Sequence, residues 1–170
     1  MFLNILKYKA LKKSATQQLF QGQEIDLKGR IKEVGIILNH KDFSNKEALV
    51  WELGLRNIQA DQIFFLISQA DVTALKARET AVKSTDFDNR AHLKNEAVRA
   101  FVAKPFDLLI SYYDVDDALL LWCTAHSKAK FKVGFSNVKL NSNHLSLQLE
   151  IEKFKSYIDE LFRYIEILKK

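Results

Sequence analysis

An α/β sandwich built on a mainly parallel sheet is the fold class this 170-residue chain predicts. Three observations predict it. Short, continuously apolar runs at residues 34–38, 62–67 and 106–113 are the mark of strands buried on both faces. Segments with helical periodicity alternate with them, which implies crossover connections and parallel pairing. The composition, 48% apolar and 28% charged with 5 Gly and 1 Pro, is that of one ordinary globular domain rather than a linker-rich or fibrous chain.

Residues 2–20 form a basic amphipathic helix in this reading. Phe2, Ile5, Leu6 and Tyr8 supply its apolar face, continued by Leu11, Ala15 and Leu19. Residues 21–30 hold two glycines and mixed polarity, so they make a connector with a short edge strand near Ile25 and Leu27. This divides the chain into a helix at residues 1–22 and one α/β domain at 23–170. Residues 34–38 are the first buried strand. Ser44 and Glu47 then have capping-box spacing, with Phe43 as the hydrophobic staple, and the helix they start ends at Gly54 as a left-handed cap.

Residues 62–67 make the second strand. Residues 69–104 are polar and read as a loop with one helix near 92–102, whose inner face is Leu93, Ala97, Val98 and Phe101. Pro105 ends that helix, because proline disfavours helical geometry in the residue before it. Residues 106–113 make the third strand, and Asp114 and Asp117 open a helix over 115–127. Residues 131–135 are the fourth strand. Leu145, Leu147, Leu149 and Ile151 alternate strictly, as in a half-buried fifth. Phe154, Ile158, Leu161, Ile165 and Leu168 then trace one stripe of a closing helix. With right-handed crossovers these elements assemble into a three-layer Rossmann-like sandwich of about five strands, preceded by the basic helix.

The charge is unevenly placed. The net charge is +5, and residues 1–32, with seven basic and two acidic groups, carry all of it. That segment is the part that attracts polyanions over distance. No apolar stretch is long enough to span a bilayer. The first residues lack the order of charges and the cleavage site of a secretory signal. A cytoplasmic protein with a reduced, buried Cys123 is therefore expected.

Most specific chemistries lack their signatures. Neither glycine-rich phosphate loop occurs, and the first strand runs into Asn39, His40 and Lys41 without a glycine. The four histidines have no metal-ligand spacing, and the aspartates at 114–117 fit helix capping better than a calcium loop. No nucleophile elbow is present, and no cofactor or metal is expected. Asp107, at the start of a strand, is read as bonding nearby backbone N–H groups.

From residue 104 onward the chain resembles a small uncharacterised family of Bacteroidota proteins, a domain of unknown function. The carrying residues are KPFDLLI at 104–110 with Tyr112 and Tyr113, SKAKFKVGFS at 127–136, and YIEIL at 164–168. The basic N-terminal helix and Val34-Gly35-Ile36 also look like that family. Its members often carry a Trp-Gly element after the second strand, where this chain has Asp86-Phe87-Asp88-Asn89-Arg90. The resemblance implies a cytoplasmic Rossmann-like domain without an established activity. A weaker likeness, through residues 106–110 and 129–135, is to the N-terminal domain of heptosyltransferase-type glycosyltransferases. The donor-binding second half expected of such enzymes is missing from this sequence, and transferase activity is expected to be missing with it.

Two functional expectations follow. The first is a non-enzymatic binding module that engages RNA, a ribonucleoprotein or another polyanion, with Lys7, Lys9, Lys12 and Lys13 on phosphates and Tyr8 stacking. The second is a nucleotide or sugar-phosphate binder, or a minor enzyme, at the carboxyl ends of the strands, using His40, Ser111, Tyr112, Asp114 and Ser136. A homodimer sealed by the aromatic closing helix is a further expectation, because Tyr157, Phe162 and Tyr164 exceed what one stripe needs.

Overall fold

The apolar runs become strands that pair only in parallel. The computed structural model describes residues 2–19, 25, 27–140 and 142–170. Among these the strands are β1 (Val34–Asn39), β2 (Ile63–Ser68), β3 (Glu79–Val82), β4 (Leu108–Tyr112), β5 (Lys132–Phe135) and β6 (Leu145–Leu147). The helices are α1 (Phe2–Leu19), α2 (Lys46–Gly54), α3 (Glu96–Ala103), α4 (Ala118–His126) and α5 (Phe154–Leu168). The sheet runs in the order β3-β2-β1-β4-β5-β6, the doubly wound order of a Rossmann fold. Val34 at the start of β1 faces Ile63 of β2 on one side and Leu108 of β4 on the other.

Side chains alternate between two cores. Val34, Ile36 and Leu38 of β1 pack with Leu49 and Leu53 of α2 and with Ile158 and Leu161 of α5. Ile37, Leu66 and Leu109 pack on the opposite face with Val98 and Phe101 of α3 and with Leu120 and Leu121 of α4. Gly35 lies on this second face. A Cβ there would come within 2.8 Å of the Phe106 ring, so the glycine makes room for the aromatic.

α1 lies parallel to α4. Tyr8 reaches the Asp116 carbonyl just before α4, and Ser14 meets Trp122 and His126 two turns on. α4 is thereby covered on one side by the sheet and on the other by α1, which explains why seven of its nine residues are buried. Among the described side chains of α1, Leu11 and Ala15 are buried, whereas Ile5 and Leu6 are about half exposed at 50% and 49%. The helix is where the sequence places it. Its docked face is not the Ile5–Leu6 face, because docking selects the residues that match the offset to α4.

β3 makes six strands where the sequence predicts about five, in a segment it predicts as loop. Its sequence, Glu-Thr-Ala-Val, has no apolar run, because an edge strand pairs on one side and buries only Val82 fully. A Lys46–Glu79 ion pair at 2.7 Å ties it to α2. α3 starts at Glu96, capped by the Asn95 side chain, and buries Val98, Phe101 and Val102, whereas Ala97 is exposed. β6 is shorter than its alternating pattern predicts. It stops at Leu147, and Ile151 turns inward on a loop whose carbonyl accepts from the Tyr112 hydroxyl at 2.6 Å.

α2 is capped by Asn45, whose side chain accepts from the Ala48 N–H, and not by Ser44. The Glu47 carboxylate reaches Lys76 at 3.0 Å instead of folding back. The left-handed residue after α2 is Asn57, with φ 61°, rather than Gly54, which ends the helix. α5 buries Ile158, Leu161 and Ile165 of the expected stripe and adds Tyr157, with Phe154 partly buried, whereas Leu168 in its last turn is exposed. Tyr157 packs edge-on against Tyr112 at 5.0 Å, inside its own core. Phe162 and Tyr164 are partly buried against the same core, so these aromatics are accounted for within one chain. The domain boundary at 22–23 and most of the edge strand expected near Ile25 lie outside the described residues. Ile25 itself is exposed.

Candidate ligand cleft at the carboxyl ends of the strands

In a doubly wound sheet the strands present their loops at the carboxyl edge, where ligands bind. Here that edge is partly roofed. The first two turns of α1 lie over the ends of β2 and β3 and the start of α4, enclosing a cleft of about 430 Å³. That is within the range of small-molecule sites, roughly 300–1,000 Å³. Lys7 and Tyr8 come from α1, Gln69 and Ala70 follow β2, Lys83 and Ser84 follow β3, and Asp117 opens α4.

Each wall has a local cause. The Lys7 ammonium donates to the Ser84 carbonyl at 3.1 Å, which holds α1 against the loop after β3. That loop is itself tied down, because the Lys83 N–H donates to the Asp86 carboxylate at 2.8 Å. Asp117 is the N-cap of α4 and accepts from the Leu119 and Leu120 N–H groups at 2.9 and 3.3 Å. The Tyr8 ring carries the Lys12 ammonium 4.9 Å from its centre and is 42% exposed. The result is a cleft with two lysines, one exposed aromatic face, and an apolar floor of Leu11, Val82 and Ala118.

Two further features mark the end of β2. Gln69 sits at φ 57°, a left-handed conformation that a non-glycine residue holds only when its surroundings enforce it. Ser68 beside it is buried, and its hydroxyl finds no hydrogen-bond partner among the described residues. Strand parity puts Ser68 on the same face as Phe64 and Leu66, the face that α1 and α4 cover. An orphaned buried hydroxyl costs about 1–3 kcal/mol, so its position beside the cleft is informative.

The structure divides the predicted site residues. Lys7 and Tyr8 line the cleft, whereas Lys9 and Lys13 point away from it and are exposed. Lys12 stands outside it over Tyr8. His40, Ser111, Tyr112, Asp114 and Ser136 all lie at the carboxyl edge, but none of them lines this cleft. The Ser111 hydroxyl is buried 3.0 Å from that of Thr124. Tyr112 is buried on the opposite face, and burial raises its phenol pKa. His40 and Ser136 are exposed in turns. Asp114 is half-buried, and burial, with Asp42 and Glu152 nearby, raises its pKa.

Lys83 and Ser84 lie outside the residues that the sequence places at the strand ends. The signal for Lys83 and Ser84 was the strand before them, and β3 has too little apolar character to show it. Cys123 is fully buried in α4, and burial raises its thiol pKa well above the ordinary value. The His126 ring is bonded to Ser14 and to the Trp122 carbonyl. Asp107 does what its place at the foot of β4 suggested, accepting the Lys32 and Glu33 N–H groups at 2.8 and 3.1 Å. Among the described residues no three His, Cys, Asp or Glu side chains come together as metal ligands, and no helix is long and apolar enough to cross a membrane.

Fold and cleft together define an α/β protein of the doubly wound class. A family model described as "Family of unknown function (DUF6913)" matches residues 5–168, and the chain belongs to that family. The match includes most of α1, which packs against α4. No curated protein matches the chain, and no solved structure does.

Proposed function

We propose that this protein is a binding module for a small anionic molecule of the nucleotide or sugar-phosphate class, held in the cleft between α1 and the ends of β2 and β3. The observation that carries this reading is the partly roofed cleft, with basic and aromatic side chains on one wall. The basic helix lies with Lys7 and Tyr8 turned toward the carboxyl edge of the sheet. Lys7 and Lys83 supply positive charge for a phosphoryl group. The Tyr8 face and the Leu11–Val82–Ala118 floor suit a base or sugar ring. Gln69 offers directional hydrogen bonds at the end of β2.

The test is a thermal-shift screen of nucleoside phosphates and sugar phosphates. A ligand at about a hundred times its Kd stabilises by about 2.7 kcal/mol, which is easily read. The expected result is stabilisation by members of one of these classes, weakened about tenfold or more in affinity by Lys7→Ala or Lys83→Ala. Flat curves across the whole panel contradict the reading.

A further inference from the structure

α1 is apolar on two sides, and the fold uses one of them. Leu11 and Ala15 are buried on the side turned to α4, whereas Ile5, Leu6 and Tyr8 remain exposed. Ile5, Lys9 and Lys13 follow one another at intervals of four residues, with Leu6 and Lys12 beside them, so aliphatic and cationic side chains share one stripe along the helix. The helix holds four lysines and no acidic residue. Among the described residues Lys9 and Lys13 have no ion-pair partner, and the Lys12 ammonium rests over the Tyr8 ring, 4.9 Å from its centre. Asn4, Ile5, Tyr8, Lys9 and Lys12 line a shallow hollow whose surface is almost wholly apolar, so the two lysines border it with their methylene stems.

We propose that this stripe is a docking surface for an anionic lipid bilayer, on which α1 lies in the plane of the headgroups without crossing. The lysines complement anionic headgroups, each worth about fivefold in affinity near such a surface. The phosphates of a nucleic acid would engage the same ammonium groups but leave Ile5 and Leu6 in water. A bilayer takes both, because aliphatic tips enter the acyl boundary while lysine heads stay at the level of the phosphates. A helical protein partner seats in a groove. Here every described residue lining the hollow belongs to α1, so the stripe is the crest of one helix. A crest suits a flat, yielding surface. Docking on α4 holds the helix formed before contact, which lowers the ordering cost of binding. The stripe uses neither Lys7 nor Lys83, so it stands whether or not the cleft takes a phosphorylated compound.

The experiment is flotation of the full chain with vesicles of phosphatidylcholine holding about 30 mol% phosphatidylglycerol, beside vesicles of phosphatidylcholine alone. The chain should float with the anionic vesicles at about 50 mM salt, be released as salt rises toward about 500 mM, and stay behind with the neutral ones. Lys9→Glu/Lys13→Glu should weaken binding to anionic vesicles about twenty-five-fold or more. Ile5→Ser/Leu6→Ser should weaken it about tenfold. Both variants should melt as the parent does, since these side chains are exposed. Failure to float with anionic vesicles at the lowest salt overturns the proposal, as does equal flotation with neutral ones or a lysine variant that floats like the parent. It is equally overturned if Ile5→Ser/Leu6→Ser keeps the parent's affinity, because the contact is then one of charge alone, as with a nucleic acid.

Discussion

Ser14 of α1 donates to the His126 ring of α4 and accepts from the Trp122 indole, at 3.1 and 3.2 Å. The proton order follows from the fourth partner. The His126 Nδ1 lies 2.9 Å from the Trp122 carbonyl, which can only accept, so Nδ1 carries the proton and Nε2 accepts from Ser14. Burial favours the neutral ring, which stacks 3.9 Å from the indole and holds α1 against the body. The cleft depends on that attachment, because its roof is the same helix.

Removing this connection should loosen α1 measurably. Ser14→Ala deletes both hydrogen bonds and should cost about 1–2 kcal/mol in urea unfolding. Leu11→Ala truncates a buried α1 side chain and should cost about 2–4 kcal/mol. If both variants unfold like the parent, α1 is not docked.

The same site gives a pH dependence. Burial lowers the His126 pKa below its ordinary 6.5, and the charges of Lys132 and Lys128 act in the same direction, against the Trp122 carbonyl bond. His92 and Arg99 of the neighbouring segment border the same groove. The unfolded chain therefore takes up the His126 proton first as the pH falls. This contribution to stability is complete above pH 6.5 and declines as the pH drops below it toward the folded-state value. Urea midpoints measured from pH 8 to pH 5 should show this slope, and His126→Gln should flatten it.

How much of this was legible in the sequence depends on burial. The central strands β1, β2 and β4 are apolar on both faces, so their runs are unmistakable in the text. β3 and β6 are edges, and Glu79–Val82 carries a pattern that any loop shares. α1 was legible as a helix, but its docked side was not, since Ile5, Leu6 and Tyr8 look more apolar than the Leu11–Ala15 face that packs. The cleft was legible only in part. Lys7 and Tyr8 attracted notice through charge, but their approach to Lys83 and Ser84 spans 77 positions in sequence and follows from the docking of α1.

Lys132 should be a liability. Its side chain is buried with the Ala125 carbonyl at 3.4 Å as a bonding partner, and burial followed by the Lys128 charge brings its pKa down to about 8. The folded state therefore resists the charged form, so the cost is full below pH 8 and fades as the pH rises toward the ordinary 10.5. Lys132→Met should raise stability by about 1–3 kcal/mol near pH 7 and by much less near pH 10. A variant less stable than the parent at pH 7 would contradict this.

Gly35 is a packing requirement. Any Cβ at this position meets the Phe106 ring at 2.8 Å and a Leu109 methyl at 2.9 Å, both in the core beneath α3 and α4. Gly35→Ala should destabilise by about 1–3 kcal/mol through overpacking. The double variant Gly35→Ala/Phe106→Leu should recover part of the loss, as denaturant titration of all three proteins will show.

The most direct measurement is amide hydrogen exchange on the full chain, with and without the phosphorylated compound that stabilises it most in the screen. Residues 4–11 should exchange slowly in the free protein, and on binding they should gain protection together with residues 69–70 and 81–84. Residues 4–11 exchanging as an unfolded peptide does in the free protein, or protection confined to another surface, would contradict this.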